Sequence, residues 1–221
     1  MSAAMLQSML SERLGEGAVQ IRTSGFGPVD LPPIDDAVDA MRRRGLDVSA
    51  HRSSATTASL VDGADVILTA ERDHVVKIAA LSPEAFRRAM TLPEFLSYAA
   101  DASIDPDAAT GDAGGDAVRR WIEQLTASRS AGEYLRDRIP EVADPTGSTP
   151  KAFEAAVVAI EQQCREAAMH LAARALTAVD RPPAATPSSP PATGGSDSMI
   201  LLIAGVMVTM VMVIMRSAPA E

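Results

Sequence analysis

Residues 64–74 read ADVILTAERDH. Within them DVILT (65–69) is a short apolar run with no polar alternation, the pattern of a strand buried on both faces, as parallel strands are. Glu71 and Arg72 then open a helical pattern over 71–81. A buried strand passing almost directly into a helix predicts an α/β domain, and the flanking sequence repeats the alternation. Upstream, AVQIRTS (18–24) alternates as a strand and runs into the loop GFGP (25–28). A helix is expected over 3–14 with its stop at Gly15, and another over 35–44 with its stop at Gly45. Downstream come a short strand over 89–92, a helix over 93–100 and a long amphipathic helix over 150–178. Pro150 stands in the first turn of that last helix, where the missing N–H costs nothing. Strands separated by helices predict a parallel sheet.

Composition removes several classes of function. The 221 residues carry 20 Lys and Arg against 29 Asp and Glu, a formal net charge of -9. Nucleic-acid binding needs a basic stripe, and none is present. One cysteine, Cys164, excludes a disulfide framework and a multi-cysteine zinc site. His51, His74 and His170 lack ligand spacing, so no metal and no cofactor is expected. The stretch DASIDPDAATGDAGGDA (101–117) is acidic and Gly-rich. It lacks the glycine and bidentate glutamate that a calcium loop requires, and reads as a solvated insertion. Arg42, Arg43 and Arg44 end a helix, where cations answer the helix dipole; that reading is preferred to an anion patch.

The C-terminal stretch MILLIAGVMVTMVMVIM (199–215) has Thr209 as its only polar side chain. As a helix it would be about 25 Å long, at the short end of what spans a bilayer. The expectation is a single-pass C-terminal transmembrane helix, with the main domain cytoplasmic because no signal peptide opens the chain. Arg216 beyond it weakly opposes the positive-inside rule. Gly205 and Thr209 form a small-xxx-small pair on which such a helix could dimerise. Residues 179–198, with DRPPAATPSSPPATGGSDS from 180 onward, read as a disordered Pro-rich linker between domain and membrane.

Four segments in order carry a resemblance. They are TSGFG (23–27), MRRRGLDVSAHR (41–52), ADVILTAERDH (64–74), and VADP (142–145) leading into Phe153. Together they resemble the low-molecular-weight protein tyrosine phosphatase family over residues 2–170. ALSPEAFRRAMTLPEFLSYAA (80–100) is most similar to its bacterial branch. The resemblance implies a domain over 2–178 with the insertion 101–117, folded as a small doubly wound parallel sheet with its site at the carboxyl ends of the strands. It implies phosphomonoester hydrolysis through a cysteinyl-phosphate, with a phosphorylated protein or a small phosphomonoester as partner. By resemblance Asp144, before Pro145, is the general acid, and Ser24, His51 and Arg52 line the cleft rim. Without the surrounding match, an Asp before Pro is commonly only a turn former.

The departure from the family is as specific as the match. The family places its nucleophilic cysteine and phosphate-binding arginine in a loop between the first strand and the first helix. Here the first strand is absent from the pattern, no cysteine precedes Cys164 and no arginine precedes Arg13. Cys164, in the last helix, reads as an inert core thiol. Two expectations follow: an active phosphatase if an upstream loop exists, or a catalytically inactive, membrane-tethered binding scaffold. Arsenate reduction, which some relatives perform, needs redox cysteines that one thiol cannot supply.

Overall fold

The computed structural model describes residues 1–101, 115–179, 200–203 and 211–215. Helix α1 (Ser2–Leu14) leads to strand β1 (Gln20–Ser24), α2 (Asp35–Arg42) and α3 (Ala58–Asp62). Strand β2 (Val66–Thr69), α4 (Arg72–Leu81), a 3-10 turn (Pro83–Arg87), β3 (Ala89–Thr91) and α5 (Leu92–Asp101) follow. Beyond the insertion come α6 (Gly115–Leu125), α7 (Ala131–Arg136) and α8 (Pro150–Val179), then β4 (Ile200–Ile203) and β5 (Val211–Met215).

The run that announced the fold lies at its centre. All four residues of β2 are buried. Side chains alternate across a sheet, so Val66 and Leu68 join one core while Ile67 joins the other. The larger core gathers Met5, Leu6 and Leu10 of α1, Met41 of α2, Phe95 of α5, Ile122 of α6, and Val157, Cys164 and Leu171 of α8. The smaller holds Val61 of α3, Val75 and Ile78 of α4, and Tyr134 of α7. Helices thus cover both faces, and the α/β expectation holds.

Local chemistry sets the element ends. Gly45, at φ 74, adopts the left-handed conformation after α2, and the Leu46 N–H reaches back to the Met41 carbonyl at 2.9 Å. Thr91 and Glu94 form a reciprocal capping box at the start of α5, both bonds 3.2 Å. Thr149 Oγ1 accepts from the Ala152 N–H at 3.3 Å ahead of α8. Gln7 of α1 ties down the start of β1: its Oε1 accepts from the Ile21 N–H at 3.0 Å and its Nε2 donates to the Val19 carbonyl at 3.1 Å.

The tail departs from expectation. Among the described residues no helix is long and apolar enough to cross a membrane. Residues 200–203 and 211–215 are strands, paired with β1 and β2. The transmembrane helix over 199–215, the single-pass anchor and the dimer through it are therefore corrected. The physical reason is competition. Facing strand edges present unpaired N–H and C=O groups, which take up β-branched Ile and Val readily. The linker over 179–198 and the insertion over 101–117 fall largely outside the described residues; 115–117 open α6.

Strand β4 runs parallel to both β1 and β2, and β5 runs antiparallel to both. Among the described residues β1 and β2 share no direct pairing, while β2 pairs with β3 in parallel. Leu202 and Val213 each stand opposite both Arg22 and Ile67. Strands β4 and β5 also pair with each other, antiparallel, and the sheet order is β1-β4-β5-β2-β3.

Candidate functional site

Four loops meet at the carboxyl ends of β1 and β2. Gly25, just past β1, bridges in parallel to Ala55, with its N–H 2.7 Å from the Ser54 carbonyl. Phe26 stacks on His74 of α4, the ring centroids 5.7 Å apart. The Val142 N–H donates to the Ala70 carbonyl at 2.9 Å, fastening the 140–146 loop to the end of β2. Glu141 Oε1 accepts from the Arg72 N–H at 2.9 Å, so a distant carboxylate satisfies one of the open amides at the start of α4.

The residues expected at the rim divide between these loops. Ser24 is fully buried, its Oγ 2.9 Å from Thr56 Oγ1, and it joins the β1 loop to the 51–56 segment. His51 is half-buried. Burial lowers its pKa, helped by the positive charges of the amino-terminal group and Arg52, which places it beside the start of α1. Arg52 is exposed, with its guanidinium on the carbonyls of Ser49 (3.1 Å) and His51 (2.6 Å). Asp144 is exposed, and its Oδ1 accepts from the Thr146 N–H at 2.8 Å, the geometry of an Asx turn. It lies close enough to Glu71 to help raise that carboxyl's pKa, after burial and Glu141.

Two participants at this end gave little signal in the sequence. His74 is 1% exposed, and neither ring nitrogen has a hydrogen-bond partner. Burial, then Lys77, pushes its pKa down to about 4. Glu141 caps α4 across a separation that no local pattern encodes. A cleft of about 490 Å³ opens beside β1, lined by Arg22, Thr23, Ser54, Thr57, Ser59 and Leu60, and is rich in hydroxyls. Among the described residues no group of three His, Cys, Asp or Glu side chains could hold a metal ion.

The single thiol is elsewhere. Cys164 is fully buried in the larger core, 3.7 Å from the Ser2 carbonyl, and burial pushes its pKa up to about 12. A thiol this basic and sealed is not a nucleophile at neutral pH. The arginine run is structural too. Arg43 and Arg44 reach Glu154, and Arg44 also reaches Glu161, in ion pairs of 2.7–2.8 Å that tie α2 to α8. Inter-helix pairing accounts for this run more fully than the helix dipole does.

The family model for low molecular weight phosphotyrosine protein phosphatase matches residues 1–131. The chain belongs to this family. The probable low molecular weight protein-tyrosine-phosphatase EpsP of Ralstonia solanacearum is 32% identical over 98 residues, which is 44% of this chain and 66% of that protein. Etp of Escherichia coli K12, a low molecular weight protein-tyrosine-phosphatase, is 26% identical over 91 residues, 41% of this chain and 60% of its own length. The chain thus spans less than two thirds of these relatives. Among solved structures, a YwlE mutant from Bacillus subtilis superposes with a TM-score of 0.50 at 19% identity, covering 77% of this chain and 87% of that one. The YwlE arginine phosphatase from Geobacillus stearothermophilus gives 0.50 at 18% identity, covering 79% and 88%. At such identities the likeness speaks for the fold alone.

Membership of the low-molecular-weight phosphatase family sharpens one correction. No cysteine precedes Cys164 and no arginine precedes Arg13, so the nucleophile and phosphate-binding arginine of the family are absent from these 221 residues. The expected cysteinyl-phosphate route has no thiolate here, and the membrane-tethered scaffold falls with the transmembrane helix.

Proposed function

We propose that this chain is a low-molecular-weight phosphatase-family domain that binds an anionic phosphomonoester, free or on a protein, without turning it over. The observation that carries the reading is the meeting of the β1, 51–56, α4 and 140–146 loops at one end of the sheet, in a domain whose only thiol is sealed in α8. Open carboxyl ends of strands are where doubly wound sheets receive ligands. Arg52 and the amide-rich start of α1 supply the positive end of the site, and Ser24 and His51 hold its wall.

Asp144 fits this reading as a rim residue. With one oxygen engaged in the Asx turn, and with no nucleophile to make a leaving group, it shapes the loop and has no proton transfer to perform. Glu71, Glu141 and Asp144 make that side of the rim acidic, which favours a ligand whose phosphate approaches from the Arg52 side.

Thermal unfolding with phenyl phosphate, beside an assay for released phosphate, tests the proposal. A bound ligand stabilises only a site that exists, so the melting temperature should rise with ligand concentration while no phosphate appears. Replacing Arg52 with Gln should weaken binding about tenfold or more, the effect of one charge-assisted hydrogen bond. Absence of any shift, or release of phosphate that persists after repurification, would reject the proposal.

A further inference from the structure

We infer that the outer face of α8 is a dimer interface, on which a second copy of this chain docks antiparallel. Phe153, Val157, Ile160 and Leu171 of α8 enter the larger core. On the opposite face Val158, Met169 and Leu176 stand 52%, 47% and 49% exposed. These three lie on one line. With exposed Ala155, Gln162 and Arg165 they follow the alternating three- and four-residue spacing that keeps a seam on one side of a helix. Ala172 also fits the series but is buried, because a straight helix drifts about 20° per heptad from a seam of this period. The 30 residues of α8 span about 45 Å, enough for the seam to meet a partner over several turns. Leu81 and Leu135, exposed on α4 and α7, form no such series.

The residues on the seam favour a copy of themselves. About a two-fold axis between residues 163 and 164, an antiparallel pair sets Val158 against Met169 of the second copy, and Met169 against its Val158. Two apolar contacts thus flank a centre where Gln162 and Arg165 meet, a polar layer of the kind that fixes register. In an antiparallel pair like flanks adjoin, and here they are complementary. Arg165, paired with its own Glu161 at 3.1 Å, comes nearly level with Glu161 of the second copy. Gln162, which donates to its own Glu166 at 3.1 Å, comes nearly level with Glu166 of the second copy. A parallel pair would instead stack Arg165 on Arg165, which repels. Because α8 opens just beyond the 140–146 loop, the antiparallel pair carries those loops at its two opposite ends.

Sedimentation equilibrium of the full chain tests the pairing, and at high concentration the mass should reach twice the 23.1 kDa of one chain. Met169→Glu should raise the dissociation constant about thirtyfold or more, since each dimer gains two unpaired carboxylates in the seam. At a dilution where the parent is monomeric, the variant should keep the parent's far-UV spectrum and melting temperature. Cysteines test the direction. Val158→Cys and Met169→Cys, mixed and mildly oxidised, should form a linked dimer, because their Cα atoms come within the roughly 7 Å that a disulfide needs. Either variant alone should stay unlinked, because identical positions lie at least about 16 Å apart along the pair; Cys164 is buried and stays out of the reaction. A single-chain mass at every concentration, as follows if a segment of the same chain covers the face, would overturn the inference. So would a dimer unmoved by Met169→Glu, or linkage of Val158→Cys alone in the yield of the mixture.

Discussion

His74 lies against Phe26, whose ring has the Lys77 ammonium 5.6 Å from its centroid. Because burial pushes the imidazole down to about 4, it stays neutral in the folded protein at pH values where a free histidine is charged. The folded form therefore binds fewer protons than the unfolded form between about pH 4 and 6.5, and stability must fall as pH drops through that window. The loss should reach about 2 kcal/mol, allowing for water entry around the ring. Urea unfolding of the parent and of His74→Gln between pH 4 and 7 checks it: the difference between them should shrink toward low pH, and a constant difference would show that His74 does not titrate as described. Cys164 predicts a null at the same scale. Its thiol, pushed up to about 12, should resist alkylation at pH 7.5 in the native protein and react only on unfolding. The sequence could name Cys164 as a core residue because a free cysteine is among the most buried residue types. It could not show that His74 has no partner, since that depends on what three other segments bring to it.

Between elements, the ion pairs differ in what they hold. Glu94 and Arg129 are both buried and 3.1 Å apart; Glu94 also closes the capping box of α5 and accepts from the Tyr134 hydroxyl at 3.3 Å. Arg129 in turn donates to the Phe86 and Ala89 carbonyls and lies over the Phe86 and Tyr134 rings. Removing one partner strands a charge in the core, so Glu94→Leu should cost about 3–5 kcal/mol by urea unfolding. The exposed pair of Arg42 and Asp39 should contribute less than about 0.5 kcal/mol, and Asp39→Ala serves as the control. Equal losses in the two variants would contradict the buried network. The elements themselves were legible to differing degrees. DVILT (65–69), the stops at Gly15 and Gly45, and Pro150 placed β2, α1, α2 and α8 within a few residues. Helices α6 and α7 were not anticipated, because the acidic composition of 101–117 hides where α6 begins and α7 has only six residues. The tail was misassigned for a physical reason. An uninterrupted apolar run has no period, so nothing in it separates a membrane helix from a strand; pairing with β1 and β2 decides.

At the scale of the whole molecule, a phosphatase-family scaffold gathers four loops at one end of its sheet, and these 221 residues provide no thiolate there. The order and spacing of four short segments carried the family, and one count, a single cysteine, carried the limit on its chemistry. The site was less legible than the scaffold. What Ser24, His51, Arg52 and Asp144 touch depends on burial and on turns that a linear pattern does not encode. The most direct measurement is calorimetric titration of the full chain with phenyl phosphate, with released phosphate quantified in the same sample. The expected result is saturable binding, weakened in Arg52→Gln, with no phosphate released. Sustained release of phosphate, or no binding heat at any ligand concentration, would contradict it.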